Sequence, residues 1–191
     1  LPEQLAKENK KFVATQAQSG ARLKDFESAI QWLVASGLVH QIFRITKPNL
    51  PLGGYQDNVF KLYFVDVGLL TAKTGLDVSV LLAGNRLFTE FKGALTEQYV
   101  LQQLLVSGLE PIFYWGLERA VAEVDFVVQH SSQIIPIEVK AEENLKAKSL
   151  RSYYDKFKPD KVFRTSMSDY RKQDWLVNLP LYALANFRSL E

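Results

Sequence analysis

Periodic and alternating apolar positions divide the chain into a helix–strand opening and a longer block of helix, three strands, helix and strand. Leu23, Phe26, Ala29, Ile30 and Leu33 recur at helical spacing and predict an amphipathic helix that stops near Gly37. Leu38–Ile45 reads as a strand, and the Pro/Gly-rich stretch from Lys47 to Gly54 breaks it off. Val59–Val65 predicts a second strand. Asp66 then stands where an N-cap would open a short helix closed by Gly75, and capping is the better reading of this aspartate than metal ligation.

From Thr89 to Ser107 the apolar arc is wide, as in a well-buried helix. Glu90 and Glu97 lie near one face of it, and Gly93, a turn before Glu97, would let a strand or ligand approach closely. Pro111–Trp115 predicts a strand, residues 116–119 a turn, and Val121–Val128 and Ile134–Lys140 two strands joined by the polar turn His130–Gln133. Lys146–Lys158 reads as a basic helix that packs through Leu150, Tyr153, Tyr154 and Phe157, and Lys161–Thr165 as a further strand. The apolar tail from Trp175 to Phe187 should end on a helix or strand against the sheet. A helix after the third strand of this block implies a crossover back into the sheet, hence an α/β fold with a mixed sheet flanked by helices.

Polar residues inside these apolar strands need an explanation. Asp125 sits between Val124 and Phe126, and Glu138 between Ile137 and Val139, with Lys140 two residues on and so on the face of Glu138. If the two strands pair as a hairpin, two carboxylates and an ammonium meet at one place. Such carboxylates repel unless something positive compensates them. A hard divalent cation such as Mg²⁺ accepts a few carboxylate oxygens and keeps some of its waters, and a neighbouring lysine would orient an attacking water or offset charge on a phosphate. Glu97 is the candidate to point inward and join Asp125 and Glu138. The bland alternative is that these charges decorate the wet face of a hairpin and Lys140 merely pairs with a glutamate.

Composition narrows the classes. With 47% apolar and 23% charged residues among 191, the chain can bury a core and is not a disordered polymer. It has no cysteine, which excludes disulfides, thiolate catalysis and zinc–sulfur sites, and His40 and His130 are not at metal-ligand spacing. No apolar run is long enough to span a membrane and no signal peptide is visible, so the expected location is cytoplasmic, without a membrane partner. Net charge is +2 but unevenly placed: residues 1–24 hold five basic against two acidic residues, 25–139 seven against twelve, and 140–172 ten against five. Basic ends around an acidic middle would let a phosphate backbone dock beside a carboxylate centre.

The order of elements, with an acidic residue on the first helix of the block, Asp on its second strand and Glu-x-Lys on its third, resembles the restriction-endonuclease-like fold. More narrowly, Phe60–Leu70, Phe91–Glu97, Tyr114–Trp115, Ala122–Phe126 and Pro136–Lys140 resemble the C-terminal half of a prokaryotic family of AAA-type ATPases, whose last part is catalogued as domain of unknown function 4143. The helix, Ala-Ser-Gly turn and strand before Thr46 resemble the end of a winged helix. The expected organisation is a partial winged-helix-like segment over 1–50 and a restriction-endonuclease-like domain over 51–191.

The resemblance implies that Glu97, Asp125 and Glu138 bind Mg²⁺ or Mn²⁺, that the main-chain carbonyl of Val139 helps complete the shell, and that Lys140 positions the water. It also implies an ATPase part that precedes this region in full-length members. No G-x-x-x-x-G-K-[ST] occurs here, so no ATP site is expected in this chain. Two main functions follow: metal-dependent hydrolysis of DNA, or a non-catalytic docking or regulatory module of an ATPase in which the carboxylates are a relic of the fold. A winged-helix transcription regulator is the third. Substrate preference, partner protein and oligomeric state are not legible.

Overall fold

The computed structural model describes residues 11–75, 89–117, 122–141 and 147–189. In chain order the helices are α1 (Ala14–Ala17), α2 (Glu27–Ala35), α3 (Val67–Thr74), α4 (Thr89–Val106) and α5 (Lys148–Phe157). The strands are β1 (Val39–Ile45), β2 (Gln56–Phe64), β3 (Ile112–Gly116), β4 (Glu123–His130), β5 (Gln133–Val139), β6 (Phe163–Ser166), β7 (Arg171–Lys172) and β8 (Val177–Pro180). Short 3₁₀ turns cover Leu23–Asp25 and Leu52–Tyr55, and a kinked one covers Leu181–Ser189. The result is a mixed α/β fold with an eight-stranded sheet in the order β2-β1-β3-β4-β5-β6-β8-β7.

Two compact units divide the chain: Leu1–Ile42 with Val59–Tyr99, and Phe43–Asn58 with Val100–Glu191. In the first, α2 is shorter than its predicted stripe, because Leu23–Asp25 winds as 3₁₀ and Ile30 is the residue of α2 that is buried. Phe12 stacks on Phe60 at 5.8 Å and meets Phe26 edge-on at the same separation. Asp66 caps α3 as its sequence position predicts: its Oδ1 accepts the Leu69 N–H at 2.7 Å, and Gly75 ends the helix at φ +67°. Gln98 of α4 donates to the Phe64 carbonyl at 2.6 Å, which satisfies a polar group inside the unit.

The second unit holds β3 to β8 and α5. Strands β3, β4 and β5 form an antiparallel meander, whose β4–β5 turn needs a left-handed residue that Ser131 supplies at φ 53°. Helix α5 then returns the chain so that β6 pairs parallel with β5, the crossover that the element order predicts. Trp115, Val124, Val127, Leu150, Tyr153 and Leu176 belong to the core that α5 seals. Trp115 meets Tyr153 at 5.1 Å and Phe157 at 5.7 Å, both edge-to-face. The apolar tail gives both a strand, β8, and a 3₁₀ stretch. The two-residue β7 has no apolar alternation and pairs only because the turn before β8 folds it back. The turn expected at residues 116–119 and the start of the basic helix at Lys146 run into positions outside the described residues.

Candidate functional site

Strands β4, β5, β6, β8 and β7 carry one transverse row of polar side chains. Antiparallel pairing of β4 with β5 runs to Phe126 opposite Ile137. One residue further, the Asp125 carboxylate takes over: Oδ2 accepts the backbone N–H of Val139 at 2.7 Å. A side chain thus finishes the ladder where the strands begin to part, and it fixes Asp125 beside the Glu138–Lys140 segment. Across β5, Glu138 stands opposite Arg164 of β6, Arg164 opposite Asn178 of β8, and Asn178 opposite Arg171 of β7. Directly opposed residues share a face, so these charges and amides form one continuous row.

Glu138 is only 5% exposed, and a carboxylate so buried must be compensated. Lys140 Nζ lies 2.7 Å from Glu138 Oε1, with the lysine side chain 30% exposed. Burial pulls the Lys140 ammonium towards a lower pKa, but the charge and hydrogen bond of Glu138, joined by the charge of Asp125, outweigh it. The net effect raises Lys140 above its ordinary value, with Arg164 opposing. Lys140 is therefore a permanent cation at neutral pH. It can orient a water or steady a phosphate, but it cannot accept a proton as a general base.

Arg164 is buried, and its own pKa is lowered first by burial, then by the Arg171 charge, while Glu138 pulls it back up. Its Nε donates to Asn178 Oδ1 at 2.9 Å, and Ser166 Oγ donates to the same oxygen at 2.9 Å. Asn178 Nδ2 donates in turn to the carbonyls of Ser168 and Asp169 at 3.2 and 3.0 Å, tying down the link from β6 to β7. Such a closed network holds the guanidinium in one place.

Of the four residues singled out in the sequence, Asp125, Glu138 and Lys140 gather in the second unit. Glu97 belongs to the first. There its Oε1 accepts the Lys61 ammonium at 3.1 Å and the Tyr63 hydroxyl. Lys61 is 1% exposed in β2, so this carboxylate offsets the charge of a cation buried in an apolar strand. Sequence reasoning missed Arg164, Asn178 and Ser166. The signal was the one that marked Asp125 and Glu138, a polar residue within an apolar strand: Val162-Phe-Arg-Thr165 and Leu176-Val-Asn-Leu179.

Among the described residues no three histidine, aspartate or glutamate side chains form a group able to hold a metal ion. Asp125 and Glu138 are a pair of hard oxygen donors on adjacent strands. That set fits Mg²⁺, which is commonly held through one or two carboxylates and retains its waters. No described helix is long and apolar enough to cross a membrane.

Residues 92–184 match the family model described as "Domain of unknown function (DUF4143)", and residues 1–79 match "Domain of unknown function (DUF8612)". The first span contains every member of the polar row together with Glu97. No curated protein matches the chain. Among solved structures, the crystal structure of protein VC1899 from Vibrio cholerae is similar at 13% identity with a TM-score of 0.33, over 100% of this chain and 47% of that one. The chain thus spans about half the length of that solved protein.

Proposed function

We propose that the Asp125–Glu138–Lys140 site is the centre of a Mg²⁺-dependent nuclease-like domain of restriction-endonuclease-like fold, acting on phosphodiester bonds of DNA. The observation that carries this reading is a buried glutamate and a neighbouring aspartate sharing one lysine at the end of paired strands, the Lys140 ammonium 2.7 Å from Glu138. The antiparallel β3–β4–β5 meander followed by the α5 crossover to parallel β6 supports the fold assignment. Asp125 and Glu138 would hold the ion. Bound there, a divalent cation supplies Lewis-acid stabilisation of charge on the phosphate. Lys140 orients the attacking water and offsets phosphate charge. Arg164, opposite Glu138 on β6, adds positive charge beside it, and the Asp125 bond to Val139 N–H sets the spacing of the two carboxylates.

A second reading has its own support. Lys140 and Arg164 already face the carboxylates with two positive charges, as a structural knot in a docking or regulatory module of an AAA-type ATPase would require. Calorimetric titration of Mg²⁺ and Mn²⁺ into the chain and its Asp125→Asn variant separates the two. Saturable binding lost in the variant, followed by metal-dependent nicking of plasmid DNA, supports the nuclease. Absence of binding to either protein rejects it and leaves the module. The winged-helix segment and the ATPase association belong to the same proposal and rest on the resemblances of the sequence.

A further inference from the structure

The second unit contains a pocket of about 470 Å³ whose lining does not include Asp125, Glu138 or Lys140, where the C-terminal end of α5, the residues leading into β6 and the β7–β8 hairpin come together. Tyr154 and Trp175 form its aromatic part, their ring centroids 5.4 Å apart and tilted by 49°. Both rings pack on the core of the unit, and the Arg151 guanidinium lies 5.6 Å from the first and 5.1 Å from the second. Cation–π contact and core packing fix the rings. Tyr170, 60% exposed, adds a third aromatic side chain to the lining.

Charge of both signs completes the lining: Lys161 and Lys172 with Asp160 and Asp174. A bare phosphate would meet the two aspartates as well as the lysines. A neutral aromatic molecule would fill the ring surface but make no use of these charges. A ligand with a flat heterocycle, a phosphate, and amino and hydroxyl donors uses all three parts, and the volume lies within the range of small-molecule sites. We propose that this pocket binds a nucleotide, the base against Tyr154 and Trp175, the phosphate at Lys161 and Lys172, and base amino or sugar hydroxyl groups at Asp160 and Asp174. The same chemistry is offered by a free nucleotide and by one nucleotide of a single strand. The proposal does not rest on the nuclease reading, since Asp125, Glu138 and Lys140 take no part in it.

The test is calorimetry in EDTA, which removes divalent metal, with adenosine monophosphate, adenosine, ribose 5-phosphate and a five-nucleotide single-stranded oligoadenylate as probes. Adenosine monophosphate should bind saturably, adenosine more weakly, and ribose 5-phosphate not at all. Trp175→Ala should weaken binding by about tenfold or more, as loss of base–aromatic stacking does. Because Trp175 also packs on the core, Lys172→Glu on the exposed edge strand is the second variant. It should weaken the nucleotide several-fold and leave adenosine unchanged. Tighter binding of the oligonucleotide with a steep salt dependence identifies nucleic acid as the source; tighter binding of the mononucleotide identifies a free ligand. No saturable heat with either, or equal binding by wild type and both variants, overturns the proposal.

Discussion

Glu138 on β5 and Arg164 on β6 stand directly opposite each other on adjacent parallel strands, both buried, so a carboxylate and a guanidinium share one spot on the sheet. Removing Arg164 takes one of two cations from Glu138, which keeps Lys140 at 2.7 Å. Arg164→Met should cost about 1.5–3 kcal/mol, from the lost attraction to Glu138 and the lost charged hydrogen bond to Asn178. In a cycle with Glu138→Gln, the double variant should be less destabilised than the two single costs together by about 1–3 kcal/mol. Urea unfolding at neutral pH measures all three. Costs that simply add would show that Arg164 serves Asn178 and Ser166 alone.

The Glu97–Lys61 contact makes a separate claim in the other unit. Lys61 has almost no exposure, so Glu97→Gln, which removes a charge 3.1 Å from its ammonium, should destabilise by about 3 kcal/mol. Lys61→Met with Glu97→Gln should recover part of that loss. A Glu97→Gln variant as stable as wild type in thermal unfolding would refute this role and free the glutamate for another.

These pairs show what the sequence makes legible. Asp125, Glu138 and Lys140 were found because alternation of side chains in a short hairpin places them on one face without knowledge of the rest of the chain. The α5 crossover was found for a similar local reason: a basic helix between two strands has to return the chain to the sheet. Arg164 and Asn178 lie 39 and 53 residues beyond Asp125 in the sequence, and which strands neighbour β5 is set by packing of the whole unit. Glu97 illustrates the converse. Its position on α4 follows from the apolar arc, whereas its contact with Lys61 has no local signal, because that lysine is hidden in a strand whose residues from Phe60 to Phe64 are all buried. Strand β7 had no signal at all, because two polar residues at an edge carry no period.

The α3 helix gives a smaller and purely local test. Asp66→Ala removes the acceptor for the Leu69 N–H and should cost about 1 kcal/mol. Gly75→Ala meets no neighbouring atom within 4 Å, so any loss there comes from the left-handed backbone, again about 1 kcal/mol. The two changes act at opposite ends of one helix and should add. Thermal unfolding of the three variants checks it, and a silent Asp66→Ala would return that aspartate to the list of candidate ligands.

Lys140 makes a prediction about alkaline pH whose sign can be worked out. Its pKa in the folded chain lies above the ordinary 10.5, because Glu138 and Asp125 outweigh the cost of burial. Below pH 10.5 the lysine is protonated in both folded and unfolded chains, and its contribution to stability is fully present. As pH rises through 10.5 and then through the higher folded value, the unfolded chain loses its proton first, the folded chain must follow, and the contribution is lost. Tyr153 acts in the same direction, since burial pushes its hydroxyl well above the usual tyrosine range and the unfolded chain ionises first. The comparison that isolates Lys140 is therefore wild type against Lys140→Met. The variant should be less stable at neutral pH, and the gap between the two should narrow above pH 10.5 in urea titrations. A gap that stays constant would mean that Lys140 gains nothing from Glu138 on folding. The positive charge of Lys140 bears on a cleavage assay as well: Lys140→Arg should retain more rate than Lys140→Met. Equal rates for the two variants would exclude a cation at this position from the chemistry.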